Sequence, residues 1–305
     1  MTSRRSLLQG CLAGFALPAA ARSRVVVAKD PAAGQSAPKL AALLDRSLQA
    51  YFDRDTPAEA WKRVARPGES VGLKVNCLSG RGGSTRVALV DAIVERLRQA
   101  GVRNIVIWDR LTRDMESAGF PIRQGNGLRT LGNEVLGYAG ELSIYGSAGS
   151  LLAKNLTEAC DAVINLPVLK DHGIVGVTMA LKNLFGAIHN PNKYHVTAGD
   201  PYVADVYMLP PIRQKVRLTI CDAIAAQYEG GPTYMPQWTW PHHALMVAED
   251  PVALDHTGWR IIERKRAEMG MQPLAALQRE PKYIATAARY GIGTNDPRRI
   301  EVKEA

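Results

Sequence analysis

Cysteine is scarce in this chain. Four occur in 305 residues, Cys11, Cys77, Cys160 and Cys221, and none stands in a C-x-x-C pair. That spacing excludes a disulfide framework and leaves no case for an iron–sulfur cluster or a structural zinc within the chain. Cys77, Cys160 and Cys221 each lie in or beside an apolar run and read as buried small hydrophobes. Catalytic signatures are missing too. No serine sits on a G-x-S-x-G elbow, which removes the argument for a Ser/His/Asp triad. H-x-x-x-H is absent, and the glycines fit neither the dinucleotide spacing nor a P-loop with its Lys-Ser/Thr ending. No Lys/Arg run is interleaved with aromatics, so no nucleic-acid-reading motif is present. Internal repeats and low-complexity tracts are absent as well.

What remains is an ordinary globular composition, 46% hydrophobic and 22% charged, long enough for one large unit or two lobes. The N-terminus is the clearest signal. Ser3-Arg4-Arg5-Ser6-Leu7-Leu8 sets two arginines before an apolar stretch that runs to Ala21, broken by Pro18 and ending in Ala19-Ala20-Ala21. This is the pattern of a twin-arginine signal peptide with an Ala-x-Ala cleavage site. Gln9, Gly10 and Gly14 dilute the stretch, and it is too short to span a bilayer comfortably. An Arg-flanked helix that stays attached is the competing reading. Export would involve the twin-arginine translocation machinery, a periplasmic or otherwise exported location, and no stable membrane insertion after cleavage. The formal charge is +9; without Arg4 and Arg5, 36 basic side chains face 29 acidic ones, a net of +7. A scattered positive surface of this kind points to small anionic ligands rather than to nucleic acid.

Residues 22–38, rich in Ala, Val, Pro, Gly and Ser, read as a linker before a domain over residues 39–305. Apolar positions at Leu40, Leu43, Leu44 and Leu48 predict a helix over Lys39–Phe52, and Pro57 opens another. A βαβ pattern follows. Val71–Val75 is a strand; Asn76 to Ser84 is a glycine-rich loop; Val87 to Leu97 is an amphipathic helix capped by Ser84 or Thr85; Asn104–Trp108 is a second strand ending at Asp109. Residues 110–150 read as an irregular connection with one strand near Glu141–Tyr145. Further predicted elements are a helix over Leu151–Cys160, a buried strand over Asp161–Leu166, a helix over Val175–Phe185 and a polar loop over Asn190–Asp205. A strand over Val216–Cys221 that stops at Asp222, helices over Pro251–Arg264 and Pro281–Tyr290, and a last strand over Arg299–Val302 complete the pattern. The alternation predicts an α/β fold, a mostly parallel sheet flanked by helices.

In such sheets ligands collect beyond the carboxyl ends of the strands. Lys74 and Asn76 lie at the end of the first strand, Asp109 at the second, Lys170, Asp171 and His172 after the next, and Asp222 after the last. The loop Gly80–Ser84 can cradle an anion or simply turn the chain. Leu169-Lys170-Asp171-His172-Gly173 reads on its own as an exposed polar loop; its histidine can also move a proton or bind metal, and its lysine can hold an anion. Lys182 and Asn183 interrupt the apolar Met179–Phe185, where a buried lysine is costly unless paired or put to use; snorkelling to solvent is the alternative. His172, His189 and His195 are the candidate ligands of a single metal ion, with a carboxylate such as Asp222. Tyr234 to Pro241, followed by His242-His243, is suited to walling a pocket.

Several of these segments together are similar to the domain of unknown function 362 family. The resemblance is carried by Val71-Gly72-Leu73-Lys74-Val75-Asn76, by Asp161-Ala162-Val163-Ile164-Asn165-Leu166-Pro167-Val168-Leu169-Lys170-Asp171-His172, and by Thr178-Met179-Ala180-Leu181-Lys182-Asn183-Leu184-Phe185-Gly186. Asp222-Ala223-Ile224, Glu229-Gly230-Gly231-Pro232 and Asp250-Pro251-Val252-Ala253-Leu254-Asp255 extend it. The resemblance implies an α/β domain that sometimes occurs in iron–sulfur proteins beside ferredoxin-like cysteine modules. No such module is present here, and Asp171 stands where the family usually has threonine. It concentrates attention on Lys74, Asn76, Lys170, His172, Lys182, Asn183, Asp222 and Asp255. The expectation is an exported enzyme, redox or metal-assisted, that takes a small anionic substrate. His172, Lys170, Lys182 and Asp222 would be catalytic, and Lys74, Asn76, Asn183 and Asp255 would bind substrate. The alternatives are a non-catalytic periplasmic metal- or anion-binding or maturation protein, or a partner of a separate iron–sulfur or redox protein. All require these residues to meet in one crevice.

Overall fold

A computed structural model of the chain describes residues 22–125 and 127–305. The twin-arginine leader lies outside the described residues. The elements begin with β1 Ser23–Lys29, α1 Ala37–Phe52, α2 Pro57–Val64, β2 Ser70–Lys74, α3 Val87–Gln99, β3 Asn104–Asp109, α4 Thr112–Ala118, β4 Arg123–Gly125 and β5 Leu128–Gly132. Next come α5 Asn133–Leu136, β6 Ser143–Tyr145, β7 Ala148–Ser150, α6 Lys154–Thr157, β8 Ala162–Asn165, β9 Val168–His172, β10 Gly176–Thr178 and α7 Ala180–Asn183. The chain continues through α8 Tyr202–Met208, α9 Pro210–Lys215, β11 Val216–Gln227, β12 Thr239–Ala248, α10 Pro251–Glu268, α11 Tyr283–Arg289 and β13 Ile300–Glu304.

The large sheet runs β13-β1-β12-β11-β8-β2-β3-β5-β4, with the β9–β10 hairpin attached to β11 through β9. Its central block, β11-β8-β2-β3-β5, is parallel throughout, and antiparallel neighbours close its flanks. The fold is therefore mixed α/β with a large, mostly parallel sheet and helices packed on it. The apolar stripes form it as the pattern dictates. Leu40, Leu43, Leu44 and Leu48 of α1 and Leu89, Val90, Ile93 and Leu97 of α3 are all buried in the core. Gly72 lets β2 pass under a neighbour, since a Cβ there would sit 2.6 Å from Cys160 Sγ. Cys77, Cys160 and Cys221 are buried free thiols. Burial pushes the Cys160 thiol up to about 12 and the other two well above their usual value.

The chain order around β2 decides where a ligand belongs. From β2 the chain crosses to β3 and β5 on one side; β8 and then β11 lie on the other. Strand order thus reverses between β2 and β8, and crevices open at the carboxyl ends of strands where this happens. Lys74 and Asn165 are the terminal residues of those two strands.

Several expectations need correction. The presumed linker carries β1, whose residues Val25 to Ala28 are buried between β12 and β13; its valines are a strand pattern that the neighbouring Pro, Gly and Ser disguise. The connection after Asp109 contributes β5 to the main sheet. Val175–Phe185 is not one helix but β10, a single turn (α7) and a 3-10 turn, an ambiguity typical of short apolar runs. Leu169–Gly173 is not an exposed loop: Lys170, Asp171 and His172 lie in β9 and are buried. Strand β11 runs five residues past Asp222, through Gln227, so that carboxylate sits mid-strand. Neither Ser84 nor Thr85 caps α3; Arg86 is its N-cap residue and makes no side-chain cap bond.

Candidate functional site

A cavity of about 550 Å³ opens above the β2/β8 switch point, lined by Lys74, Asn76, Lys170, His172, Lys182, Asn183 and His195, with Asp109, Arg110 and Phe185. Seven of the sequence-predicted residues therefore meet, drawn from β2, β9, α7 and the 3-10 turns after it. All seven carry polar heads, yet six are buried and His195 is half-buried; how each head is satisfied determines what it can do.

Two of the three lysines are fully engaged. Lys74 Nζ donates to the Val75 carbonyl (2.6 Å), to Asp109 Oδ1 (2.7 Å) and, more weakly, to Asn183 Oδ1 (3.4 Å). Asp109 is itself pinned by the amides of Arg110 and Cys77. Gly186 makes room for this pair: a Cβ there would lie 2.7 Å from Lys74 Nζ. Lys170 Nζ donates to Asn76 Oδ1 (2.9 Å) and the Gly83 carbonyl (3.0 Å) and to Ser79 Oγ. An ammonium has three hydrogens, so each of these lysines has spent all of them. No carboxylate bonds Lys170, and burial brings it down to about 8. Through Lys170 the glycine-rich loop is tied to β9, which is its role here.

Lys182 differs. Only 8% of it is exposed, its Nζ stands 4.0 Å over the Phe185 ring, and it has no hydrogen-bond acceptor among the described residues. Burial, with repulsion from Lys74, Lys170 and Arg110, brings it down to about 7. Asn183 is committed to the scaffold: Nδ2 donates to Asn165 Oδ1 (2.8 Å), Oδ1 accepts from Asn76 (3.0 Å), and Asn165 in turn donates to the Ala180 carbonyl (2.8 Å).

The two histidines of the cavity stack, with ring centroids 5.4 Å apart. His172 Nδ1 accepts from the amides of Ile174 (3.1 Å) and Val175 (3.4 Å), so the proton of the neutral ring sits on Nε2. Burial, then the charges of Lys182, His195 and Lys170, drives this ring down to about 2. It is a neutral donor at any ordinary pH. His195 is the reverse: Nδ1 faces the Asn192 carbonyl at 3.3 Å, which can only accept, so Nε2 carries the lone pair. Burial and Lys182 lower it too. One wall of the cavity thus offers an N–H donor and a nitrogen base side by side.

Three predicted residues lie elsewhere. Asp222 is fully buried and accepts from the Arg86 amide (2.9 Å) and guanidinium, holding the start of α3 against β11. Asp255, on α10, accepts from the amides of Ala180 (2.7 Å) and Leu181 (3.1 Å); burial pushes its carboxyl up to about 8 against the pull of those two N–H groups. His189 is exposed beside Tyr138, away from the cavity. The metal trio His172, His189 and His195 therefore does not converge, and among the described residues no three His, Cys, Asp or Glu do. A metal on His172 Nε2 would also drive its proton onto Nδ1, against two amide hydrogens. Asp171 supports the site from behind, paired with Arg279, which also bonds Glu229.

Sequence reasoning noted Asp109 but did not select it, and missed Arg110, Ser79 and Phe185. Asp109 had a usable signal, its place at the end of a parallel strand. The ring of Phe185 had none, since it reads as core. A second cavity, of about 520 Å³, lies between α10 and the β13-β1-β12 edge, lined by Trp240 and His242 with Lys29, Arg260, Arg264 and Lys265. Of the stretch Tyr234 to Pro241, Trp240 lines this cavity.

Comparison with known proteins covers most of the chain. The family described as Domain of unknown function (DUF362) matches residues 71–260. A thylakoid-associated protein of Synechocystis sp. is 28% identical over 264 residues, 81% of this chain and 78% of that protein. A crystal structure of a Thermotoga maritima protein aligns at TM-score 0.41 and 10% identity, over 77% of this chain and 58% of that one.

Proposed function

This chain belongs to the domain of unknown function family DUF362, and since that membership brings no reaction with it, we propose from the cavity itself that the protein is an enzyme acting on a small anionic substrate. The observation that carries this is Lys182: a buried amine with no acceptor, in a cavity where Lys170 and Arg110 add positive charge. Burying a cation without partners costs several kcal/mol, and a carboxylate or phosphate in the cavity would repay it. His172 would donate to the bound anion and His195 would move a proton. Asp222 and Asp255 are left out of the catalytic and binding sets, because Asp222 is engaged by the Arg86 amide and guanidinium and Asp255 by the amides of Ala180 and Leu181. No step is routed through a metal or a cluster, for which the described residues offer no donor set.

Titration calorimetry with small carboxylates and inorganic phosphate tests this. One site is expected, with affinity weakened about tenfold or more in Lys182→Met, the loss expected for a charge-assisted hydrogen bond. Equal affinity in both proteins, or no binding, overturns the reading. Binding without turnover of any bound acid would support the non-catalytic carrier instead.

Export by the twin-arginine route is the second part of the proposal, supported by Arg4-Arg5 before a short apolar stretch. The double variant Arg4→Lys, Arg5→Lys should leave the chain in the cytoplasm on cell fractionation. Equal periplasmic yield of variant and wild type would refute it. Among the described residues no helix is long and apolar enough to cross a membrane.

A further inference from the structure

We infer that Lys182 is a covalent nucleophile, whose Nζ forms an imine with the carbonyl carbon of a small oxo acid bound in the lysine cavity. This rests on the anionic-substrate reading and adds the carbonyl to it. The geometry that separates Lys182 from its neighbours is the basis. Lys74 and Lys170 have three acceptors each, so neither nitrogen can turn a lone pair to a ligand. Lys182 has none, and its nitrogen is held over the Phe185 face at the cavity wall. The same ring meets His195 edge-on, centroids 5.7 Å apart, which brings amine and imidazole to one aromatic floor.

An amine attacks a carbonyl only after losing its proton, and lysines that do so sit in desolvated pockets or beside other cations. Lys182 has both conditions and is half deprotonated near pH 7. The acid group of the substrate suits Arg110, which lines the same cavity, and the Nε2–H of His172 suits the carbonyl oxygen, polarising it for attack.

The step balances without any further reactant. The Nζ lone pair forms the C–N bond while the C=O pair moves to oxygen. His195 Nε2 takes a proton from the nitrogen and passes it to that oxygen, giving a carbinolamine. His195 Nε2 then takes the remaining proton from the carbinolamine nitrogen and delivers it to the hydroxyl, which leaves as water with the C–O pair while the freed N–H pair closes the C=N bond. One water leaves for each imine, and nothing is oxidised or reduced.

Reductive trapping of the full chain reads this directly. The protein is incubated with pyruvate or glyoxylate at pH 8, treated with borohydride, and analysed by intact and peptide mass. One carboxyalkyl group is expected on Lys182, formed about tenfold faster than on any other lysine. It should be absent when lactate, which has the carboxylate without the carbonyl, replaces the oxo acid. Lys182→Arg keeps a charge and removes the nucleophile; it should bind lactate and give no adduct at that position. Oxo acids that bind by calorimetry yet leave Lys182 unmodified, or adducts spread evenly over surface lysines, overturn the imine and leave the anion site standing. If no carboxylate binds at all, both readings fall.

Discussion

The cavity over β2 and β8 and the groove beside α10 are nearly equal in volume, about 550 and 520 Å³, and both carry several basic side chains. They hold those charges in different ways. In the groove, Lys29, Arg260 and Arg264 are exposed, with heads in water at its rim. In the cavity, Lys74 and Lys170 are 1% exposed and Lys182 8%. Water screens the first set; its removal is what lowers Lys170 and Lys182. Positive charge alone therefore does not mark a reactive site. The depth of the charge and the number of its acceptors do.

The scaffold behind the cavity should prove the more fragile, and its largest expected effect is at Asp255. Asp255→Ala strips the acceptors from two buried amides at the start of α7, the turn that carries Lys182 and Asn183. A loss of about 2–4 kcal/mol in denaturant-measured stability is expected. A variant as stable as wild type would break the contrast between a built cavity and a simple groove.

Next in size is the pH dependence of stability. Lys182 is held at about 7 in the fold and returns to about 10.4 when the chain unfolds. Between those values the unfolded chain binds one proton more than the folded one, so stability should rise with pH, by up to about 1.4 kcal/mol per unit. Lys170 adds to the rise from about 8 upward. Denaturant midpoints at pH 7 and 9 should show a slope that is reduced in Lys182→Met, and an unchanged slope would mean that the amine reaches water. His172 acts at the acid end: held neutral down to about 2, it makes stability fall as pH drops below the ordinary histidine range.

The smallest effect belongs to the groove. Arg264→Ala should change stability by less than about 0.5 kcal/mol, as expected of an exposed side chain. Anion binding to the lysine cavity should be untouched on calorimetry. A larger change would show that the groove shapes its charges after all.

The sequence made the central block legible because β2, α3, β3 and β8 follow the simple periods of strand and helix. It also showed the lysines, since Lys182 stands out in an apolar run. What it hid was burial of polar strands. Lys170, Asp171 and His172 look like a loop because strand patterns are recognised by apolar alternation. Here the network of Asn76, Ser79, Gly83 and Arg279 replaces apolar partners, and those residues come from distant segments. Asp222 is hidden for a related reason: the apolar run stops at Cys221, whereas pairing with β12 carries β11 through to Gln227. Partners that lie far apart in sequence leave no local trace.

The three core thiols give the molecule an indifference to its redox surroundings. Disulfide exchange and oxidation proceed through the thiolate, and Cys77, Cys160 and Cys221 are sealed from solvent with their protons held firmly in place. The fold consequently requires neither a reductant to keep them apart nor an oxidase to join them.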